Sequence, residues 1–244
     1  MFGLTKREQR WKAEQQALKT MIARERESAT VIPASGRSTL REVLTPAVLM
    51  YTLAYFCLTN TLSAINIWTP QILQSFNTGS SNIVIGMLAA IPQFCTIFGM
   101  IWWSRRSDRR KERKMHTILP YLFAAAGWLL ASATHHALIQ LIGIIMASVG
   151  SFTAMAIFWT TPDRVISLQS RAVALAVINA IGNIGSAVSP LLIGILRDAT
   201  GSFSSGLWFV AGLLVVGALV LTRIPMSARE DAAAEAGLAA QKSH

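Results

Sequence analysis

The amino-acid sequence predicts an all-α membrane protein of six transmembrane helices, and three features carry that reading. Charged residues make up only 14% of the 244-residue chain, and hydrophobic ones 52%, whereas a soluble globular protein is about a quarter charged. The cations are clustered: of 22 Lys and Arg, nine precede residue 43 and seven lie between Arg105 and Lys114. The stretches 43–104, 115–162, 172–196 and 199–222 contain no Asp, Glu, Lys or Arg. A hydrocarbon layer about 30 Å thick takes roughly 20 apolar residues per helix. The first two stretches therefore hold two spans each and the last two hold one each.

Taken in order, residues 1–42 come first. KREQRWKAEQQALKTMIARERE has no apolar core of the length that an export signal requires. Trp11, Leu18, Met21 and Ile22 recur at helical spacing, and VIPASGRST then ends the helix. This segment is expected to be a cytoplasmic helix and linker, with placement in the membrane interface and in solvent both open. The six-helix bundle occupies 43–223. Its first break is expected from Trp68-Thr69-Pro70 through Asn77-Thr78-Gly79-Ser80-Ser81-Asn82, where Pro, Gly and small polar residues gather. Later connections fall at the basic run near 104–114, at His135-His136, at 161–171 and at Arg197-Asp198. A cytoplasmic tail, 224–244, completes the chain.

An even number of spans puts both termini on one side of the membrane. The segments on that side carry nearly all the Lys and Arg, and the opposite connections carry only Arg197. The basic side is therefore expected to be cytoplasmic. Burying the seven cations of GMIWWSRRSDRRKERKMH (99–116) would cost about 2.5–3.5 kcal/mol each at a span centre, so this run has to form a loop. The net charge of +10 follows from topology. No basic face interleaved with aromatic residues marks a nucleic-acid partner.

The spans contain no Asp, Glu, Lys or Arg, and His116, His135, His136 and His244 form no ligand pattern. Scattered Ser and Thr have no base in register, so neither an enzyme nor a metal or other cofactor is expected. Cys57 and Cys95 read as small core residues. Uncharged polarity instead forms stripes: Asn179, Asn183 and Ser186 share a face, followed by Pro190, as do Thr59, Ser63 and Asn66, and Gly86, Ala90 and Gln93. Such stripes either join helices or line a solute path. Gly182, Gly185 and Ser189, with Gly143, Ala147 and Gly150, are rows of small residues suited to close helix packing.

GMIWWSRRSDRRKERKMH resembles the loop between the eighth and ninth helices in the anion:cation symporter branch of the major facilitator superfamily. FWTTPDRVISLQSRAVALAVINAIGNIGSAVSPLLIGILRDATGSFSSGLW (158–208) is similar to that branch's tenth and eleventh helices. The resemblance implies that the six spans form one half, the C-terminal bundle, of a major facilitator fold in a bacterial inner membrane. It implies uptake of a small organic anion, such as 4-hydroxyphenylacetate, by proton symport when paired with an N-terminal half.

On the same resemblance, Trp159 and Asn179 face the cavity and contact substrate, with Asn183, Gln93 and Asn60 added from face and depth. Trp159 equally suits an interfacial belt aromatic. Asp108, Arg109 and Arg113 occupy the positions of a gating loop whose charge pairs favour the state closed to the cytoplasm. Leu168-Gln169-Ser170-Arg171 departs from the small Gly- and Ala-rich turn of the family. The family's first-helix Asp-Arg pair has no counterpart here. Coupled transport is accordingly expected to need a separate N-terminal half or a homodimer. The alternative is a truncated, non-transporting membrane protein or a membrane interaction partner.

Overall fold

The computed structural model describes residues 11, 15, 16, 19–21, 45–76, 81–110, 112–134, 136–166 and 170–224. The chain divides into two compact units, Met1–Glu42 and Val43–His244. In the first unit, Trp11, Gln15, Gln16, Lys19, Thr20 and Met21 are helical and exposed, while Leu18, Ile22 and the linker lie outside the described residues. The expected tail beyond Ile224 also lies outside them.

Every element among the described residues of the second unit is a helix. Its elements are α1 (Pro46–Phe76), α2 (Asn82–Arg110), α3 (Arg113–Ser132), α4 (Ala137–Phe158), the single turn α5 (Pro162–Val165), α6 (Arg171–Gly182), α7 (Ile184–Thr200) and α8 (Ser204–Arg223). Six stretches are long and apolar enough to cross a membrane, with α6 and α7 together forming the fifth. Three boundaries differ from the sequence expectation. The basic run near 104–114 is mostly helical rather than a loop, α2 extending to Arg110 and α3 starting at Arg113, so its cations continue the helix ends beyond the apolar stretch. Trp68-Thr69-Pro70 does not break the first span: α1 runs through Pro70 to Phe76, because Trp68, Thr69, Ile72 and Leu73 are buried in the core. Burial there outweighs the backbone hydrogen bond that proline removes. Arg197-Asp198 likewise lies inside α7, and the helix ends at Gly201 in the left-handed conformation (φ 68°) that glycine adopts without steric cost.

The first and fourth spans pack together, the second lies against the fourth, and the fifth lies against the first. The sixth span contacts the first, third and fifth. Polar side chains fasten these contacts. Trp128 Nε1 of α3 donates to Thr61 Oγ1 of α1 at 2.7 Å, and Thr61 Oγ1 lies 3.2 Å from Ser151 Oγ of α4. Tyr121 Oη donates to the Ala54 carbonyl at 3.1 Å, and Thr96 of α2 meets Ser148 of α4 at 2.9 Å. With no competing water in hydrocarbon, such bonds hold helices at about 0.6–2 kcal/mol each. Cys57 is buried and Cys95 half-buried, both as free thiols.

Candidate functional site

The geometry of the site begins with a break in the fifth span. The helical ladder is interrupted at Asn183, between α6 and α7, where the Ser186 N–H turns to the Asn183 carbonyl at 3.0 Å. The Gly182 carbonyl is left facing α1, and Thr59 Oγ1 donates to it at 2.6 Å. Four residues on, Pro190 has no N–H to give the Ser186 carbonyl, and Ser63 Oγ donates to that carbonyl at 2.7 Å. Two hydroxyls one turn apart on α1 thus satisfy two carbonyls one turn apart on the broken span. Ser and Thr from a neighbour commonly rescue an interrupted helix in hydrocarbon this way. The Thr59 and Ser63 stripe therefore joins helices, while Asn66 of the same stripe is exposed.

Gly182 and Gly185 allow the approach. A Cβ at Gly185 would lie 2.4 Å from the Phe56 carbonyl oxygen, and one at Gly182 would lie 2.2 Å from the Tyr55 ring. The small-residue row of the fourth span does the same against α3, where Gly143 and Gly150 abut the backbones of Gly127 and Pro120.

Next to this joint the first span, the C-terminal end of the fourth and the fifth border a shallow, open depression of about 460 Å³, lined by Tyr55, Met155, Trp159, Leu175, Ala176 and Asn179. Trp159 and Asn179 are thereby brought to one place. Trp159 is half-buried, with its ring 4.9 Å from Tyr55 edge to face, and Tyr55 stacks on Phe158 at 5.3 Å. Exposed Asn183 donates from its side-chain amide to Asn179 Oδ1 at 2.7 Å and to the Asn179 carbonyl at 2.8 Å. Those bonds occupy the Asn179 side-chain oxygen and leave its NH2 donors free for a ligand.

Asn60 and Gln93 lie elsewhere. Asn60 is fully buried against Gly185, donates to the Phe56 carbonyl at 2.9 Å, and keeps Oδ1 unpartnered. Gln93 is exposed on α2 and does not line the depression. Tyr55 and Met155 were not singled out from sequence, since an aromatic or Met in a span reads first as core. The signal available for Tyr55 was its place one turn before Thr59, on the face that carries the polar stripe.

At the basic hairpin, Arg113 Nη2 of α3 pairs with Asp108 Oδ1 of α2 at 2.6 Å, the carboxylate side being 61% exposed. Asp108 stands in the last turns of α2, where the helix dipole disfavours an anion and favours Arg109 and Arg110. Arg113 from the next helix offsets that. Arg109 is exposed. Residue 111 and residues 167–169, including Leu168 and Gln169 of the divergent turn, lie outside the described residues. No group of three or more metal-ligating side chains occurs among the described residues.

Comparison with known proteins supplies the family. Residues 2–190 match the model of the Major Facilitator Superfamily. A protein of Agrobacterium vitis described as a tartrate transporter is 35% identical over 217 residues, covering 89% of this chain and 46% of that protein. A quinolone resistance transporter of Acinetobacter baumannii is 34% identical, over 72% of this chain and 40% of the relative. The inner membrane transport protein RhmT of Escherichia coli K12 is 27% identical over 135 residues, 55% of this chain and 31% of that protein. The chain spans about half the length of the curated relatives it matches. Six apolar spans, the fifth of them polar and interrupted, together with these matches, place the chain in the Major Facilitator Superfamily, a family of multi-pass membrane transporters rather than enzymes.

Proposed function

We propose that this chain forms the C-terminal half of a secondary transporter that takes up a small organic anion with a proton, both termini facing the cytoplasm of a bacterial inner membrane. The observation that carries the reading is the meeting of Trp159 and Asn179, from different spans, in one depression beside Tyr55. Indole N–H and amide NH2 are donors only, suited to a carboxylate, and amides exposed at mid-span are costly against lipid but at home in a water-filled path. The Tyr55 and Trp159 rings add an aromatic wall that favours an aromatic carboxylate such as 4-hydroxyphenylacetate, the substrate of the permease that the sequence resembles. The relative described as a tartrate transporter supports the broader class of small organic anions. Countercharge and proton carrier would come from the N-terminal half, since the carboxylates Asp108 and Asp198 stand in the terminal turns of α2 and α7 and neither lines the depression.

The test is uptake of labelled 4-hydroxyphenylacetate and tartrate by vesicles holding this chain with a six-span N-terminal half. A charge-assisted hydrogen bond contributes about 1.5–3 kcal/mol, so Asn179→Ala and Trp159→Phe should each weaken apparent affinity roughly tenfold or more. Uptake of both anions at unchanged affinity in both variants would overturn the site. Absence of uptake of any organic acid by the paired protein would overturn the function.

A further inference from the structure

The strongest unassigned feature lies on the far side of the second span. A groove of about 500 Å³ runs between α2, α3 and α4, over Gly99, Trp103, Pro120, Phe123, Val149 and Thr153. That volume falls within the range of about 300–1,000 Å³ typical of small-ligand clefts. Gly99 and Gly150 thin its floor, and the exposed side chains of Leu119, Leu122 and Phe123 form its open wall. One polar group interrupts the apolar lining: Thr153, 2% exposed, whose Oγ1 has no partner.

Trp102 also lines this groove, and on its other side begins a second surface, formed by Phe98, Ile101, Trp102, Arg105, Arg106, Arg109 and Arg110 along one face of α2. Spacing of one and four residues puts the four guanidinium groups on a common shelf. The Arg106 guanidinium stands 5.9 Å from the Trp102 ring centre. The nearest acid in sequence, Asp108, is engaged by Arg113 and does not line the shelf. An apolar cleft open toward hydrocarbon thus continues, across a Trp at the position of an interfacial aromatic, into a cluster of four cations.

We infer that this composite surface binds a phospholipid with an anionic headgroup, an acyl chain in the α2–α3–α4 groove and the phosphate on the Arg105–Arg110 shelf. Charge complementarity selects the class. Arginine forks match phosphate oxygens in pairs, and basic clusters next to a span attract anionic lipid. The unpartnered Thr153 hydroxyl supplies a donor for a lipid ester carbonyl at the groove's depth. The inference is independent of which solute the bundle carries.

Native mass spectrometry of the full chain in neutral detergent tests it, with phosphatidylglycerol and phosphatidylcholine of identical acyl chains as probes. Phosphatidylglycerol should be retained roughly tenfold better. Arg105→Gln with Arg106→Gln should remove the preference, and Leu122→Trp, at an exposed groove position, should reduce retention of both lipids, all with unchanged helical circular dichroism. Glycerol 3-phosphate should compete poorly because it lacks the chain. Equal retention of the two lipids, a preference that survives the paired Gln substitutions, undiminished retention in Leu122→Trp, or full displacement by glycerol 3-phosphate would each overturn the assignment.

Discussion

Individual glycines decide how closely these helices meet. At Gly150 an added Cβ would stand 2.6 Å from the Pro120 carbonyl oxygen and 2.7 Å from the Ala124 nitrogen. Both are backbone atoms that cannot rotate away. At Gly212, on an exposed face of α8, nothing lies within 4 Å. Gly150→Leu is therefore expected to lower stability in detergent by about 1–3 kcal/mol or more, seen as an earlier thermal unfolding midpoint, whereas Gly212→Leu should leave the midpoint in place. An equal response at the two positions would remove close packing as the reason for the fourth span's glycines. The row Gly143, Ala147 and Gly150 was legible in the sequence because a helix repeats its face at fixed spacing. Its counterpart Gly127 was not, since no pattern within one span states what a different span brings opposite it.

Among the elements, the fifth span shows how a sequence signal can be right in kind and incomplete in cause. Asn183 and Pro190 marked it as unusual, and the stripe Thr59 and Ser63 was visible at one-turn spacing. That each hydroxyl answers a particular carbonyl, Gly182 and Ser186, depends on the register of α1 against α6 and α7, which a linear pattern does not contain. This account gives a double-mutant cycle. Ser63→Ala should cost about 0.6–2 kcal/mol. In a Pro190→Ala background the restored N–H can serve the Ser186 carbonyl, so the same change should cost less, with coupling of about 0.5 kcal/mol or more. Additive losses in chemical denaturation would show that the two residues act separately. The boundary at Pro70 was misjudged for a related reason: proline argues for a break locally, and burial of Trp68 and Ile72 is a tertiary fact.

The α2–α3 hairpin offers a further test at this scale. With its carboxylate 61% exposed, the Asp108–Arg113 pair should contribute less than about 1 kcal/mol to stability. Asp108→Asn is accordingly expected to move the unfolding midpoint little. If the pair gates the basic end, as the resemblance of this loop to the family implies, the same change should raise labelling of a reporter cysteine at Asn179 from the basic side by severalfold. Unaltered labelling would leave the pair as a surface contact only.

For the bundle as a whole, burial is unequal among the spans in a way that separates two faces. Of their apolar stretches, 17% is buried in the second span and 28% in the fifth, against 44–72% in the other four. Exposure alone is ordinary for a helix in lipid. The second and fifth spans, however, also expose Gln93, Asn179 and Asn183, and an amide facing hydrocarbon lacks partners that water or another helix would supply. The exposed face of the sixth span carries Trp208, Val215, Val216 and Leu219, as lipid contact requires. The six-span count was readable from charge-free stretches, but this division was not, because it rests on which helices lack neighbours. It leads to a prediction about pairing. With Cys95 replaced by Ser, Gln93→Cys and Asn183→Cys should react with a charged, membrane-impermeant thiol reagent when the chain is paired with a six-span N-terminal half. Leu219→Cys should react at least about tenfold more slowly, since thiolate chemistry needs water. Without the partner, lipid would cover the amide positions and their labelling should fall toward that of Leu219→Cys. Labelling that ignores the partner would mean that water reaches this face by another route, and the paired-halves reading of the transport path would fail with it.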